Sequence, residues 1–231
     1  MIKIGHASGD ERGKASGGQA GDQTSRELRI LDWYSSPWDT VLRFMDSAKA
    51  EKAAQAMEAA CANNNIGYDQ AQRNTLNSKA KAVGYDLAKV TEKCETDCSA
   101  LVSVCAQASG IDIPYISGNA PYTGIMETQF TSTGEFEVLK DAKYLTSDAH
   151  LLRGDILLRT SGHTAMALEN GAEATPRAVD GNTPADWFAE DVEWAKINGI
   201  MQGDGKGNFR IKDYVTREEM CAMLHRLANL R

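Results

Sequence analysis

A cysteine and a histidine stand at positions that sharply narrow what this chain can fold into. Cys98 opens an apolar segment with helical spacing, and either Thr96 or Asp97 can cap the start of that helix. His163 lies 65 residues further along and opens an apolar segment with the character of a β-strand. A thiol at a helix start and an imidazole at a strand start are typical of a cysteine nucleophile and its general base. The pattern therefore predicts one helix that carries the nucleophile and one strand that carries its base.

The order of the other segments indicates the fold class. Helices are predicted at residues 47–63, 69–83, 97–110 and 119–128, and strands at residues 2–4, 28–33, 136–139, 154–158 and 163–168. Ser47 is the predicted N-cap of the first helix, and the last two strands follow each other closely enough to form a hairpin. Helices followed by antiparallel strands predict an α+β fold.

Composition and charge argue against several classes of protein. The 231 residues carry a formal net charge of −7 without a sustained basic stripe, so nucleic acid is not expected as a partner. No run of about 18 apolar residues is available to span a membrane. The N-terminus lacks the apolar core of a secretory signal, so synthesis in the cytoplasm is expected. The five cysteines are an odd number, which leaves at least one thiol unpaired.

A metal site is the main alternative interpretation of the cysteines. Cys94 and Cys105 flank Cys98, and the three thiols together with His163 form a conceivable set of ligands. The spacing lacks the Cys-x-x-Cys pair of a zinc knuckle, and the residues on either side of Cys98 are better explained by a nucleophile. We therefore predict neither a metal nor a cofactor.

The sequences around the two key residues resemble a known superfamily. Residues 97–102 (Asp-Cys-Ser-Ala-Leu-Val) resemble the nucleophile motif of the NlpC-type cell-wall cysteine peptidases and the related CHAP amidases. Residues 154–157 (Gly-Asp-Ile-Leu) and 162–165 (Gly-His-Thr-Ala) resemble two strands of the same proteins. The resemblance implies a papain-like core, with the helix-borne Cys98 packed on a small antiparallel sheet. It also implies that Cys98 attacks an amide of the wall peptide and that His163 is the base.

We also predict which residues border the substrate. They are Tyr68, Asp97, Ser99 and Gly162. The resemblance implies that Tyr68 lines the oxyanion side, and the Ser99 N–H group at the helix start is expected there as well. Core packing explains Tyr68 equally well, and helix capping is the simpler role for Asp97. At the level of the sequence these alternatives stay open.

Members of the superfamily usually carry a third polar residue, which orients the imidazole, on the strand after the histidine strand. The corresponding residues here, 174–177, have the composition of a linker. We predict instead that the N-terminal strand pairs beside the His163 strand and brings His6 to the imidazole. Glu169 and Asn170 are the alternatives that lie nearer along the chain.

The N-terminal part, which includes residues 4–8 and 21–24, resembles the phage-type peptidoglycan amidohydrolases of prophages in Gram-positive hosts. This resemblance implies that the protein reaches the wall through a holin pore or after lysis. The expected site of action is then the bacterial cell wall, although synthesis takes place in the host cytoplasm.

The composition shifts to Gly, Ala, Thr and Pro near residue 172. This shift predicts a linker at residues 173–184 between a main domain at 1–172 and a helical tail module at 185–231. Thr216 and Glu219 form a capping-box pattern at the start of the second helix of the tail. A helix-loop-helix appendage that packs on the main domain is the simplest interpretation.

The tail also resembles one S-layer homology (SLH) repeat. The resemblance rests on Trp194, Ala195, residues 198–203, Gly207, Phe209 and residues 216–220. It implies binding to anionic secondary cell-wall polysaccharide through Trp194, Thr216, Arg217 and Glu218. Arg217 can pair with a carboxylate in a forked geometry. Such repeats usually occur in threes, so a single copy either forms a homo-oligomer, as a trimer, or binds weakly as a tether.

Both resemblances point to the bacterial cell wall. The leading prediction is an endolysin-like peptidoglycan hydrolase that cleaves an amide bond with Cys98 and His163. Muramoyl-L-alanine amidase activity and endopeptidase activity on the stem or cross-bridge both remain open, because both use the same two residues. Two alternative functions are a non-catalytic wall-binding or prophage structural protein and a papain-like transferase or deamidase.

Overall fold

The computed structural model describes residues 1–174, 188–203, 209, 211 and 215–230. The chain divides into two compact units, Met1–Thr175 and Pro176–Arg231. From residue 175 onward, the predicted linker lies outside the described residues. The predicted fold class is confirmed as a mixed arrangement of helices and strands with an antiparallel sheet.

A six-stranded antiparallel sheet forms the centre of the first unit. Its strands are β1 (Lys3–Ala7), β2 (Leu28–Asp32), β3 (Thr40–Phe44), β6 (Phe136–Leu139), β7 (Ile156–Arg159) and β8 (His163–Ala167). They lie in the order β2-β1-β8-β7-β3-β6. Two shorter strands, β4 (Ile66–Tyr68) and β5 (Cys94–Thr96), form a separate parallel pair. The sheet order places the N-terminal strand next to β8, the strand that begins with the histidine.

Five α-helices and one short 3₁₀-helix, Leu87–Lys89, accompany the sheet in this unit. The α-helices are α1 (Ser47–Cys61), α2 (Thr75–Ala82), α3 (Cys98–Ala108), α4 (Met126–Thr131) and α5 (Ala142–Leu145). Buried residues of α1 and α3 share one apolar core with Ile156 and Leu158 of β7. Leu157, between them, belongs to a second apolar cluster with Trp38 and Ala165. Because side chains alternate along a strand, the two clusters lie on opposite faces of the sheet.

Glycine allows two close approaches between α1 and the rest of this unit. A Cβ atom on Gly5 would lie 2.4 Å from Cγ of Met57, so the absence of a side chain lets α1 pack directly on β1. Gly154 has a φ of +92°, and a Cβ atom there would lie 2.8 Å from the Cβ of Ala50. The glycine of the Gly-Asp sequence before β7 is therefore explained by its positive φ and by its contact with α1.

A buried ion pair fixes β7 to β3. Oδ1 of Asp155 accepts a hydrogen bond from Nε of Arg43 at 2.9 Å, and Oδ2 accepts one from Nη2 at 2.7 Å. The N–H group of Leu152 also donates to Oδ2, at 2.8 Å. Burial raises the pKa of Asp155, and the Arg43 guanidinium opposes this effect. The pair thus holds in place the strand that forms a hairpin with β8.

The four helices predicted in this unit differ from the structure at their ends. The side chain of Asp46, not that of Ser47, caps α1 by accepting hydrogen bonds from two N–H groups of its first turn. The helix predicted at 69–83 is only Thr75–Ala82, because the Asp69 carboxylate instead caps a turn by accepting from the N–H of Ala71. The helix predicted at 119–128 begins at Met126, because the preceding residues form a turn. The helix predicted at 97–110, α3, ends at Ala108, two residues before its predicted end at Gly110.

The second unit contains two described helices, α6 (Ala189–Ile197) and α7 (Arg217–Ala228). Gly199, with a φ of +66°, follows the end of α6. The predicted capping box is confirmed: the Thr216 hydroxyl accepts from the N–H of Glu219, whose carboxylate accepts from the N–H of Thr216. None of the helices in the described part of the chain is long and apolar enough to cross a membrane.

Candidate active site

Cys98 is the first residue of α3, and only 7 % of its surface is exposed. The preceding residue, Asp97, is the N-cap. Its Oδ1 accepts hydrogen bonds from the N–H of Ala100 at 2.7 Å and from the Ser99 hydroxyl at 3.0 Å. The apolar residues that follow are buried, so capping and amphipathic packing together start the helix at the cysteine.

The environment of Cys98 favours the neutral thiol. Burial raises the pKa of this thiol to about 12, and the Asp97 carboxylate acts in the same direction. The backbone N–H groups of Thr164 and Ser99 and the Arg73 guanidinium have the opposite effect. The thiol is therefore protonated at neutral pH and becomes a thiolate only when a base accepts its proton. The influence of the Thr164 N–H group indicates that the thiol lies near the start of β8.

Two imidazoles meet at the start of β8. Nε2 of His163 lies 2.9 Å from Nδ1 of His6, because β1 and β8 pair in the sheet. Burial lowers the pKa of His163 to about 4, with a further decrease from the Arg159 charge and opposition from Asp97. Burial likewise lowers the pKa of His6 to about 3, and the charges of His163 and Arg29 lower it further. Both rings are therefore neutral at neutral pH and able to accept a proton.

Aromatic side chains enclose the imidazole pair. The Trp38 ring stacks on His163, with 6.1 Å between centroids and 29° between planes. Tyr34 lies 6.1 Å from the His6 ring and 5.8 Å from the Trp38 ring, between centroids. Burial raises the pKa of Tyr34, and a negative charge on Cys98 would raise it further. Tyr34 therefore lies near both the imidazole pair and the thiol.

Arg73 connects the residues around the thiol. Its Nε lies 2.7 Å from Oδ2 of Asp97 in an ion pair, and its Nη2 donates to the Ser99 hydroxyl at 2.7 Å. The same nitrogen donates to the carbonyl oxygen of Pro121 at 3.3 Å. Only 15 % of the Arg73 side chain is exposed, so these contacts form in a largely desolvated setting. Arg73 thereby holds the N-cap carboxylate and fixes the start of α3.

The other predicted substrate contacts lie around this cluster. Tyr68 ends β4, and its hydroxyl accepts a hydrogen bond from Nε2 of Gln70 at 3.1 Å. Burial raises the pKa of Tyr68 to about 12, and a charge on Cys98 would raise it further, so the phenol lies near the thiol. Gly162 lies in the exposed turn between β7 and β8, where a Cβ atom would lie 2.3 Å from Nε of Arg159.

The two alternative orienting residues have other partners. Oε2 of Glu169 accepts a hydrogen bond from the N–H of Lys3 at 3.0 Å, and Oδ1 of Asn170 accepts one from the N–H of Arg153 at 2.8 Å. Among the described residues, neither side chain bonds to the His163 ring. The geometry therefore brings His6, and not these alternatives, to His163.

Two further features bear on the chemistry. Within residues 1–174, no hydrogen bond joins the Cys98 thiol directly to the His163 ring. In the described part of the chain, no group of three or more histidine, cysteine or acidic side chains is arranged to hold a metal ion. The cluster contains a protonated thiol, a neutral imidazole and the N–H groups of a helix start, which are the components of acyl transfer through a cysteine. The lack of a direct hydrogen bond between Cys98 and His163 is compatible with this chemistry, because the bond between a nucleophile and its base is often long in apo structures.

Sequence reasoning did not identify four neighbours of the cluster: Arg29, Tyr34, Trp38 and Arg73. Pro37-Trp38 indicated only a turn, and none of the four belongs to a local motif. The aromatic residues at 33–38 are unusually dense for a turn, and this density is a signal that could have identified Tyr34 and Trp38. The two arginines reach the cluster through sheet pairing and tertiary packing, which no local pattern encodes.

The predicted wall-binding residues lie on the two helices of the second unit. Trp194 is on α6 and is 51 % exposed. Thr216 caps α7, and the exposed side chains of Arg217 and Glu218 are in its first turn. Arg217 has no hydrogen bond or ion pair within the described part of the chain. Its guanidinium is therefore available to an external anion.

Two family models match the chain. One is described as an endolysin-like domain and matches residues 4–174, and the other is described as an S-layer homology domain and matches residues 181–221. The first match includes Cys98, His163 and His6. No curated protein and no solved structure matches the sequence.

Proposed function

Because residues 4–174 make this chain a member of the endolysin-like domain family and residues 181–221 form an S-layer homology domain, we propose that it is a peptidoglycan hydrolase of the cysteine type. The two domains together indicate a cell-wall hydrolase with a tether. The proposal adds an amidase or endopeptidase mechanism on a papain-like core of the NlpC and CHAP kind. It assigns this core to residues 1–172 and the wall-binding module to residues 185–231.

One observation carries the proposal. Nε2 of His163 lies 2.9 Å from Nδ1 of His6, and the N–H group of Thr164, the next residue on the same strand, lowers the pKa of the Cys98 thiol. The nucleophile, the base and a group that orients the base thus come from three distant parts of the sequence. A purely structural thiol does not require two neutral imidazoles nearby, one buried and one half-buried. The arrangement supports Cys98 as nucleophile, His163 as general base and His6 as the residue that positions His163.

The proposed reaction is an acyl transfer in two steps. His163 accepts the thiol proton as Sγ of Cys98 bonds to the amide carbonyl carbon, and the N–H group of Ser99 faces the developing negative charge. The C–N bond then breaks, and His163 returns the proton to the departing amine. A water molecule next attacks the thioester with His163 as base, which releases a carboxylic acid and restores the thiol. Nε2 of His163 faces His6, so Nδ1 is the nitrogen proposed to face the thiol.

The experiment that tests the function is fragment analysis of digested walls. Purified Gram-positive walls are incubated with the protein, and the released fragments are identified by mass spectrometry. We expect one new amine and one new carboxyl group for each bond cut, and the position of that bond distinguishes amidase from endopeptidase activity. Fragments with only new reducing sugar ends would indicate a glycosidase, and wall binding without fragments would favour the non-catalytic alternative.

The lowered pKa of His163 predicts an unusual acid limb in the pH profile. We expect kcat/KM for muropeptide hydrolysis to fall by half near pH 4, because His163 is a base only while neutral and its pKa is about 4. An unperturbed histidine would place this midpoint near about pH 6.5. Initial rates between pH 3.5 and pH 8 check the prediction. A midpoint near the unperturbed value would contradict the burial of the base.

The same shifts require a control for folding. Below about pH 6.5 the unfolded chain binds more protons at His6 and His163 than the folded chain does, because both folded pKa values are lower. The free energy of unfolding therefore decreases as the pH falls from there towards 4 and 3. Circular dichroism at each pH must show folded protein before a rate is assigned to catalysis.

The second unit is proposed to tether the enzyme to anionic wall polysaccharide through Trp194, Thr216, Arg217 and Glu218. We expect Arg217→Lys to raise the dissociation constant for purified walls by about tenfold, because lysine retains the charge but not the forked pair of donors. Arg217→Gln should weaken binding further. Co-sedimentation with walls measures the effect, in a Cys98→Ser background so that the walls stay intact.

Cys221→Ser, on the same helix, is the matched control and should bind like the parent protein. Unchanged binding by Arg217→Gln would remove Arg217 from the wall-binding surface.

Met220, Leu224 and Leu227 are about half exposed along α7. This apolar stripe supports the further proposal that single SLH modules associate with one another. For delivery to the wall, we propose release through a holin pore or by lysis.

A further inference from the structure

A cavity of about 510 Å³ lies beside the imidazole pair and has no role in the proposed acyl transfer. Its lining includes Ser8, Asp10, Glu11, Arg26 and Arg29. A volume of this size accommodates a group such as a short segment of peptide. The cavity adjoins the candidate active site, because the Arg29 side chain belongs to its wall and also contacts His6.

The acidic groups of the cavity are already satisfied within the loop. Oδ1 of Asp10 accepts hydrogen bonds from the N–H groups of Arg12 and Lys14, and Oδ2 accepts from the Arg12 guanidinium. Glu11 also lies 3.6 Å from this guanidinium in an ion pair, and its Oε2 accepts from the N–H of Gln19. These contacts leave Asp10 without capacity to bind a cationic ligand.

The basic groups of the cavity, in contrast, are not neutralised. In the part of the chain that the structure describes, the Arg26 guanidinium has no hydrogen bond or ion pair. Arg29 has one contact, a hydrogen bond from its Nε to Nε2 of His6 at 3.3 Å. Neither arginine faces a carboxylate of its own protein at bonding distance. Two guanidinium groups on one cavity provide donors suited to a planar anion.

The loop that carries Arg26 is held rigidly. Its N–H group donates to Oδ1 of Asp22 at 3.2 Å, and the other carboxylate oxygen accepts from the N–H of Glu27 at 3.0 Å. The Glu27 carboxylate in turn accepts from the N–H of Tyr68 at 2.9 Å. The loop is therefore fixed to β4, next to the candidate active site, and its position does not depend on a ligand.

We propose that this cavity is a subsite for a free carboxylate of the substrate peptide, bound by Arg26 and Arg29. The inference rests on the proposed function, because the wall peptide supplies the carboxylate. It places that carboxylate close to the amide that Cys98 attacks, on the His6 side of the imidazole pair. The enzyme should therefore prefer acidic stem peptides over their amidated forms.

Arg29 also links the occupied cavity to the base. While its Nε donates to Nε2 of His6, the remaining His6 nitrogen carries the proton and donates to Nε2 of His163. Nδ1 of His163 is then protonated and cannot accept the thiol proton. A carboxylate that draws Arg29 away from His6 permits the opposite tautomers, in which Nδ1 of His163 is free. Binding of a carboxylate in the cavity thus positions the substrate and also leaves Nδ1 of His163 free to accept the thiol proton.

The test compares synthetic cross-linked muropeptides in which each free carboxylate in turn is replaced by a carboxamide. For one of these replacements, we expect the KM of the native enzyme to rise about tenfold or more, since a charge-assisted pair is lost, and kcat to fall as well, since Arg29 then stays bonded to His6. Arg26→Gln retains Arg29, so it should raise the KM of the acidic peptide to the same level, change kcat little and abolish the preference in KM. Arg26→Lys should recover part of it. Lys52→Gln, which removes an exposed charge on α1, is the matched control.

The outcomes separate this inference from the proposed function. An active enzyme with no carboxylate preference, or with a preference that Arg26→Gln retains, would overturn the subsite and leave the hydrolase intact. If the native protein hydrolyses no muropeptide, the proposed function fails. Titration calorimetry with the Cys98→Ser protein then tests whether the cavity binds the peptide carboxylate, independently of hydrolysis. Tighter binding of the acidic peptide that disappears in Cys98→Ser/Arg26→Gln supports the subsite, and equal binding of both peptides contradicts it.

Discussion

Replacing the proposed nucleophile, Cys98→Ser, is expected to reduce wall hydrolysis on the order of 10⁴-fold or more. A serine hydroxyl at this position is far harder to deprotonate than the thiol, so His163 activates it much less. The fold should survive, because the side chain shrinks only slightly and makes no disulfide. Loss of turbidity of purified walls, followed over time, measures the rate.

The matched control for this prediction is Cys221→Ser. It makes the same chemical change at an exposed free cysteine in the second unit and should leave clearing unchanged. Co-sedimentation with walls and circular dichroism should show that Cys98→Ser still binds and folds. If Cys98→Ser cleared walls at the native rate, the cysteine mechanism would be excluded.

Removal of the proposed base, His163→Gln, is expected to reduce hydrolysis by about 10³-fold. Glutamine keeps polar atoms at the site but cannot take up the thiol proton, and the thiol, with a pKa of about 12, does not ionise by itself at neutral pH. The loss should not add to that of Cys98→Ser, because the two side chains act as one unit. Initial rates of muropeptide hydrolysis by both single variants and the double variant check this.

His150→Gln provides the control for the histidine change. His150 lies away from the cluster, where its ring contacts Glu173, so this variant should retain the native rate. A His163→Gln enzyme that kept most of its activity would show that another group accepts the proton. A double variant much slower than either single variant would show that the two residues act independently.

The parts of the fold that sequence could predict are those with a strong local pattern. α1 and α3 combine helix formers or an apolar face with a capping residue, and the β7–β8 hairpin has two apolar segments separated by a short turn. β4 and β5 were missed because three residues are too few to show a period. The early start predicted for α2 failed because Asp69 bonds to a turn instead of to a helix.

The same distinction applies to the candidate site: residues in local motifs could be predicted, and residues placed by distant contacts could not. Cys98 and His163 stand in motifs that a sequence displays, and His6 follows once the N-terminal strand is placed beside β8. Arg73 and Arg29 could not be predicted, because their roles depend on contacts with Asp97 and His6, respectively, far along the chain. The pKa shifts were also out of reach, since burial, their largest cause, is a property of the packed protein.

Rapid acid quenching followed by mass spectrometry decides whether Cys98 forms a covalent bond with the wall peptide. A muropeptide is mixed with the native enzyme, the reaction is stopped at successive times, and the peptide containing Cys98 is weighed. We expect an added mass equal to the acyl part of the cleaved substrate, which disappears as the substrate is consumed and is absent from Cys98→Ser. Hydrolysis with Cys98 unmodified at every time, together with the same products from Cys98→Ser, would contradict it.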